Sequence, residues 1–148
     1  MINKTAVVNA VAAALHGKWP VMDIHQNLCP VDFERPAFLI ETPRVTSRDA
    51  ARNLLEETIY LTVTCFGSTD DYDNSDVGEL SQMQTEVIEL FREGFIPVAD
   101  RAVKIAVSEG GMDFDRSWVD LQAHYFEQRK ETTALPPMRE VYTRLTEE

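Results

Sequence analysis

The run Asp70-Asp71-Tyr72-Asp73-Asn74-Ser75-Asp76-Val77-Gly78-Glu79 has the residue types a calcium ion needs, since a hard cation takes closely spaced carboxylate oxygens. The spacing is wrong for that chemistry. Counted from Asp71, the position that demands glycine is Asp76 and the bidentate twelfth position is Gln82; counted from Asp70 they are Ser75 and Ser81. Read instead as a solvated loop, the run ends with acids that favour the positive end of a following helix, and Asp76 with Glu79 makes a capping box. The histidines His16, His25 and His124 stand far apart, with no ligand-spaced partner. His124 is placed to meet Cys65 or a carboxylate across a sheet, the first option being a Cys/His dyad. Cys29 and Cys65 lack CxxC or Cys/His spacing, which suggests neither a disulfide framework nor a zinc site. Phosphate-loop, dinucleotide, nucleophile-elbow and HExxH signatures are absent from the sequence. Catalytic, cofactor-binding and metal residues are therefore none.

A positive segment stands out against this background. Arg44, Arg48 and Arg52 fall within Thr42 to Asn53 of a chain with 14 Lys and Arg against 25 Asp and Glu, a formal charge of −11. Such acidity argues against nucleic acid and against an anionic membrane surface as partners, because both are recognised by cations. The local exception reads as a contact with an acidic neighbour or as a solvated loop.

The elements that must position these residues follow from periodicity. Asn3 caps a helix from Lys4 to His16 with Val7, Val8, Val11 and Leu15 on one stripe, and Gly17 offers a left-handed stop. Val21 to Gln26 is a short strand. Pro36 and Pro43 bracket a strand from Ala37 to Thr42, and Thr42 to Asn53 is a long polar connection or a short helical turn. Leu55 to Phe66 is a central strand with Ile59, Leu61, Val63 and Cys65 on one face. A helix over Asp76 to about Arg92 carries Leu80, Met83, Val87 and Phe91, and Gly94 and Pro97 end it. Ala102 to Ser108 is a strand, Glu109-Gly110-Gly111 a turn, and Ser117 to Gln128 the last strand, with Val119, Leu121, Ala123 and Tyr125 inward. The 148 residues, 44% hydrophobic, suit one domain. The pattern predicts an α+β fold: one mixed, mostly antiparallel sheet of four to five strands with two helices packed on it, over residues 1–130. Residues 131–148 then read as a Pro-Pro linker and a C-terminal arm or short helix. Without a signal-like start or a membrane-length apolar run, the chain is expected in a reducing host cytoplasm.

The element order, the block Phe33-Glu34-Arg35-Pro36-Ala37-Phe38-Leu39-Ile40, the connection into Tyr60-Leu61-Thr62-Val63 and the late strand Trp118-Val119-Asp120-Leu121-Gln122-Ala123-His124-Tyr125-Phe126 resemble the small tail terminator proteins of tailed phages and phage-like contractile particles. The resemblance covers most of residues 1–130. It implies a structural protein without catalytic residue or cofactor, forming a ring commonly of six on the head-proximal end of the tail tube, where it stops further tube subunits from adding. Its implied partners are itself, the tail tube protein, the sheath and the head connector, and its final location is the tail. Under that resemblance Arg44, Arg48 and Arg52 would meet the adjacent subunit's loop carrying Asp70, Asp71 and Asp73, or the tube rim. Another neck protein, such as a head-completion or connector component, and a small α+β enzyme are the other classes left open.

Overall fold

The fold was obtained as a computed structural model, which describes residues 2–129. The expectations for 131–148 lie outside the described residues. Asn3 begins α1 (Lys4–Lys18): its extended backbone stops the helix from starting earlier, and its side-chain oxygen accepts from the Ala6 N–H at 2.8 Å. Val7, Val8, Val11 and Leu15 are buried along one stripe. The helix runs through Gly17, so the expected left-handed stop is not used. Termination falls on Trp19, whose N–H reaches the Leu15 carbonyl at 2.8 Å and whose ring packs on Phe38 at 4.8 Å between centroids. A tertiary contact therefore places the end of α1, not a local glycine.

The remaining elements are β1 (Asp23–Gln26), β2 (Ala37–Ala51), β3 (Leu54–Phe66), α2 (Val77–Leu90), β4 (Phe95–Val98), β5 (Arg101–Met112) and β6 (Arg116–Gln128). They form one curled sheet in the order β1-β2-β3-β6-β5-β4, parallel only between β1 and β2. The α+β class with two helices and a single mixed sheet is as expected, but the sheet has six strands, not four to five. The additional strand is β4, whose Phe-Ile-Pro-Val sequence holds the proline read as a stop signal. At a sheet edge that proline needs no donor, and Ile96 and Val98 face inward.

Two segments also differ. Thr42 to Asn53 is no loop: β2 continues to Ala51 and returns into β3 at Leu54, pairing Arg44 with Tyr60 and Arg48 with Glu56. Neither face of this stretch meets a core, so its side chains lack the apolar alternation that marks a half-buried strand. Glu109-Gly110-Gly111 is likewise strand, carrying a bulge between Val107 and Glu109, and the turn comes after Met112. Gly111 lies under the Trp118 ring, where a Cβ would stand 2.3 Å from the indole, so glycine is required by that close approach.

β3 and β6 pair along their whole lengths, from Leu54 opposite Gln128 to Phe66 opposite Arg116. At ~3.3 Å per residue such a strand pair is about 40 Å long. Ile59, Leu61, Val63 and Cys65 with Val119, Leu121, Ala123 and Tyr125 form the buried face, and α1 and α2 cover it with Leu15, Val11, Leu80 and Val87. The opposite face carries Tyr60, Thr62, Asp120, Gln122 and His124, all half-buried, and among the described residues no helix covers it. The molecule thus has a helix-backed body and a hairpin arm that extends beyond it.

Candidate functional site

In the arm, β2 and β3 are held by side chains on the uncovered face. Arg44 stacks on Tyr60, its guanidinium carbon 3.9 Å from the ring centroid. Arg48 grips Glu56 in a two-pronged pair at 3.0 and 2.9 Å, and Oε1 of that carboxylate, already bonded to Arg48 Nη2, also meets His124 Nε2 at 2.8 Å. The hydrogen bond from Arg48, then that from His124, lowers the Glu56 carboxyl to about 2. On the helix-side face Ser47 donates to Glu57 at 2.9 Å, and Arg129 from the end of β6 pairs with Asp49. Arg52 sits exposed in the turn and makes no ion pair among the described residues. Of the positive segment, then, Arg48 is engaged with its own chain and Arg44 lies on a ring, while Arg52 alone presents a free guanidinium.

The acidic run lies at the other end of the sheet, since Gly67 follows the last residue of β3 and the arm tip precedes its first. Asp70 organises this loop: its carboxylate accepts from the N–H groups of Tyr72 at 2.8 Å and Asn74 at 3.1 Å. Asp71 and Asp73 are exposed, and Asp73 holds a left-handed φ of 61°. Asp76 caps α2 by accepting from Glu79 N–H at 3.2 Å, as the spacing predicts. Glu79, however, accepts from Ser68 N–H at 2.9 Å, so the reciprocal half of the capping box is replaced by a tie to the loop. Tyr72 and Phe114 are 84% and 56% exposed, which leaves two aromatic rings among these acids facing solvent. No group of three or more metal-ligating side chains is found among the described residues.

Between this loop and the body lies a polar cluster with no sequence signal beyond the Phe33-Glu34-Arg35-Pro36 block. Asp115 is buried and pairs with Arg35 at 2.7 Å and Arg116 at 2.9 Å. Arg35 also donates to the carbonyls of Gly67 and Asp115. Both guanidiniums lie over Phe66, at 5.1 and 4.8 Å. Burial pushes the Asp115 carboxyl up, but the hydrogen bonds from Arg116 and Arg35 outweigh it, and the net shift is downward. Eighty residues separate Arg35 from Asp115, which is why only the fold could pair them.

The structure does not bring the candidate residues of the two ends together within one chain. Nor does it assemble a nucleophile. Cys65 pairs in register with Ser117, whereas His124 stands opposite Thr58, several residues along β3. Burial pushes the Cys65 thiol up to about 12, the opposite of activation. His124 meets a carboxylate across the sheet, one of its two expected partners, and that partner is Glu56. A groove of about 650 Å³ on the uncovered face is lined by Arg44, Tyr60, Thr62, Ser108 and Asp120. Two of its hydroxyls are engaged: Thr62 donates to the Asp120 carboxylate at 2.8 Å and Ser108 to the Asp120 carbonyl at 3.1 Å. Among the described residues this arrangement positions no base against a nucleophile.

A search of curated proteins finds no match to this chain. A family model described as phage tail terminator protein matches residues 6–134, which takes in α1 but for its first two residues, α2 and the six described strands. The chain belongs to the phage tail terminator proteins, a family of structural phage proteins.

Proposed function

We propose that this chain assembles into a ring, of six copies, on the head-proximal end of the tail tube, where it stops tube polymerisation and offers the joining surface to the head or neck. The family match over residues 6–134 carries the reading. A molecule with Arg44, Arg48 and Arg52 on the arm at one end of its sheet and an acidic, aromatic loop at the other supports it, because these residues can meet between copies but not within one. The arm with Arg44, Arg48 and Arg52 meets the acidic end of the adjacent copy, where Asp70, Asp71 and Asp73 stand. The tube rim is the second neighbour of this surface, and the sheath and head connector are the further partners. Assembly takes place in the host cytoplasm before the protein becomes part of the tail.

The test is to polymerise tail tube protein with and without this chain and to measure tube length by negative-stain microscopy. A single ring at one end of each tube, with lengthening halted, is the expected result. Tubes that keep growing without an end structure would refute the reading. Rings that bind head connectors but not tubes would make it a neck component instead.

A further inference from the structure

Two stretches of the sheet's perimeter have no strand beside them among the described residues. β1 accompanies β2 only from Ala37 to Ile40, which leaves the outer edge of β2 from Arg44 to Ala51 with backbone groups facing outward. On the far side β4 pairs with β5 only from Arg101 to Lys104, and one more bond joins Ile105 N–H to the Gly94 carbonyl. The edge from Ala106 to Met112 stays open, except that Gln84 donates to the Gly111 carbonyl at 2.9 Å. Unpaired edges of this kind are templates for strand addition.

The register makes the two edges a matching pair. Arg44 is level with Tyr60, Tyr60 with Gln122 and Gln122 with Ala106, so both free edges start on one line across the sheet. From that line they run to opposite ends, over similar lengths. Three successive antiparallel pairings separate β2 from β5, so the two strands point in opposite directions. A second copy in the same orientation, displaced along the strands by one free edge, therefore sets its β5 antiparallel to β2.

Side chains agree with this docking. The outer strand of the arm and the turn after it carry Arg44, Arg48 and Arg52 against Asp49, while from Ile105 to Asp113 there is no basic residue and Glu109 and Asp113 are acidic. With Val45 set opposite Met112, Arg48 falls opposite Glu109, and Arg48 and Glu109 both belong to the uncovered face by their partners Glu56 and Asp120. On the helix-side face the same alignment brings together Val45 and Met112, which are 47% and 37% exposed in one copy.

We propose that the outer edge of β2, Arg44–Ala51, adds antiparallel to the free edge of β5, Ala106–Met112, of the next copy, so that one sheet continues from subunit to subunit. This inference rests on the self-associating ring proposed above and names its joint. Main-chain bonds supply the attachment, and the Arg48–Glu109 and Val45–Met112 neighbours fix the register. The contact is head-to-tail, so each copy uses one edge of each kind and a closed ring leaves neither open.

The test uses the full chain with Cys29→Ser to remove the half-exposed native thiol; Cys65 is buried. Val45→Cys and Met112→Cys are made in separate chains, mixed and oxidised, with sedimentation run in parallel. Cross-linking between Val45→Cys and Met112→Cys chains is expected, a double variant should give a ladder of covalent oligomers, and Glu109→Arg should weaken association by about tenfold with an unchanged circular dichroism spectrum. An assembled oligomer that forms no such cross-link, or in which Val45→Cys chains link only to each other, overturns this joint while leaving the ring intact. Sedimentation as a monomer at every concentration overturns the ring as well.

Discussion

The two ends of the sheet both hold an arginine–carboxylate pair, yet the pairs differ in what surrounds them. At the body end Asp115 is buried between Arg35 and Arg116, with Phe66 beneath both guanidiniums and the Gly67 carbonyl engaged as well. At the arm end Arg48 and Glu56 make an equally well-formed two-pronged contact, but the arginine side chain is 76% exposed. A buried pair whose loss strands a charge is a folding element; an exposed one gives little stability and chiefly shapes a surface. Similar chemistry thus anchors the fold at one end and dresses an edge at the other.

That contrast can be broken by substitution, beginning where the body is tightest. Leu121→Asp puts a carboxylate into the fully covered face between β3 and β5. A cost of several kcal/mol, on the order of the whole stability, should unfold the domain, and a thermal melt reads it directly. Asp115→Ala comes next, at about 2–3 kcal/mol in chemical denaturation, below the ~3–5 kcal/mol of a fully enclosed pair because Arg116 keeps access to water. Arg48→Ala, by comparison, should move the denaturation midpoint far less, because the pair is open to solvent. Equal losses for Asp115→Ala and Arg48→Ala would erase the distinction between the ends.

Acid sharpens the same comparison. Glu56 is held at about 2 by Arg48 and His124, below the ~4.3 of an unfolded glutamate, so its stabilising effect is complete above that value and is lost as pH falls from about 4 toward 2. Asp115, whose carboxyl is also lowered, loses its contribution in the same direction below the ordinary carboxylate range. NMR titration of the side-chain carboxyls should show Glu56 still ionised at pH 3, and a midpoint near 4 would contradict the pairing. The smallest effect is expected for Arg52→Glu, whose melting should stay within about 0.5 kcal/mol of the parent while assembly weakens.

What could be read in the sequence follows from the same division. Where one face meets a core, the period of two is visible, and Ile59-Leu61-Val63-Cys65 and Val119-Leu121-Ala123-Tyr125 marked their inward faces correctly. Asn3 and Asp76 announced their helices because a cap is a local interaction. The arm was not legible as strand, since a hairpin exposed on both faces has no apolar alternation, and β4 was hidden by a proline that serves equally as a stop or an edge residue. Gly110-Gly111 looked like a turn until the Trp118 ring gave the second glycine a reason to be in a strand. Two of the candidate arginines touch Glu56 and Tyr60 of the neighbouring strand, contacts that depend on strand pairing and leave no local pattern. The Arg35–Asp115 pair joins residues too distant for any local pattern.

Under the proposed joint, the body folds the chain and the arm joins it to its neighbours. Hydrogen exchange on dilute and assembled protein tests this most directly, because it reads individual backbone amides in both states. The account predicts that amides of β3 and β6 between Ile59 and Val63 and between Val119 and Ala123 are protected in both. Outward amides of Arg44–Ala51 and Ala106–Met112 should exchange fast when dilute and become protected on assembly. Assembly that leaves both edges exchanging as fast as before would contradict it.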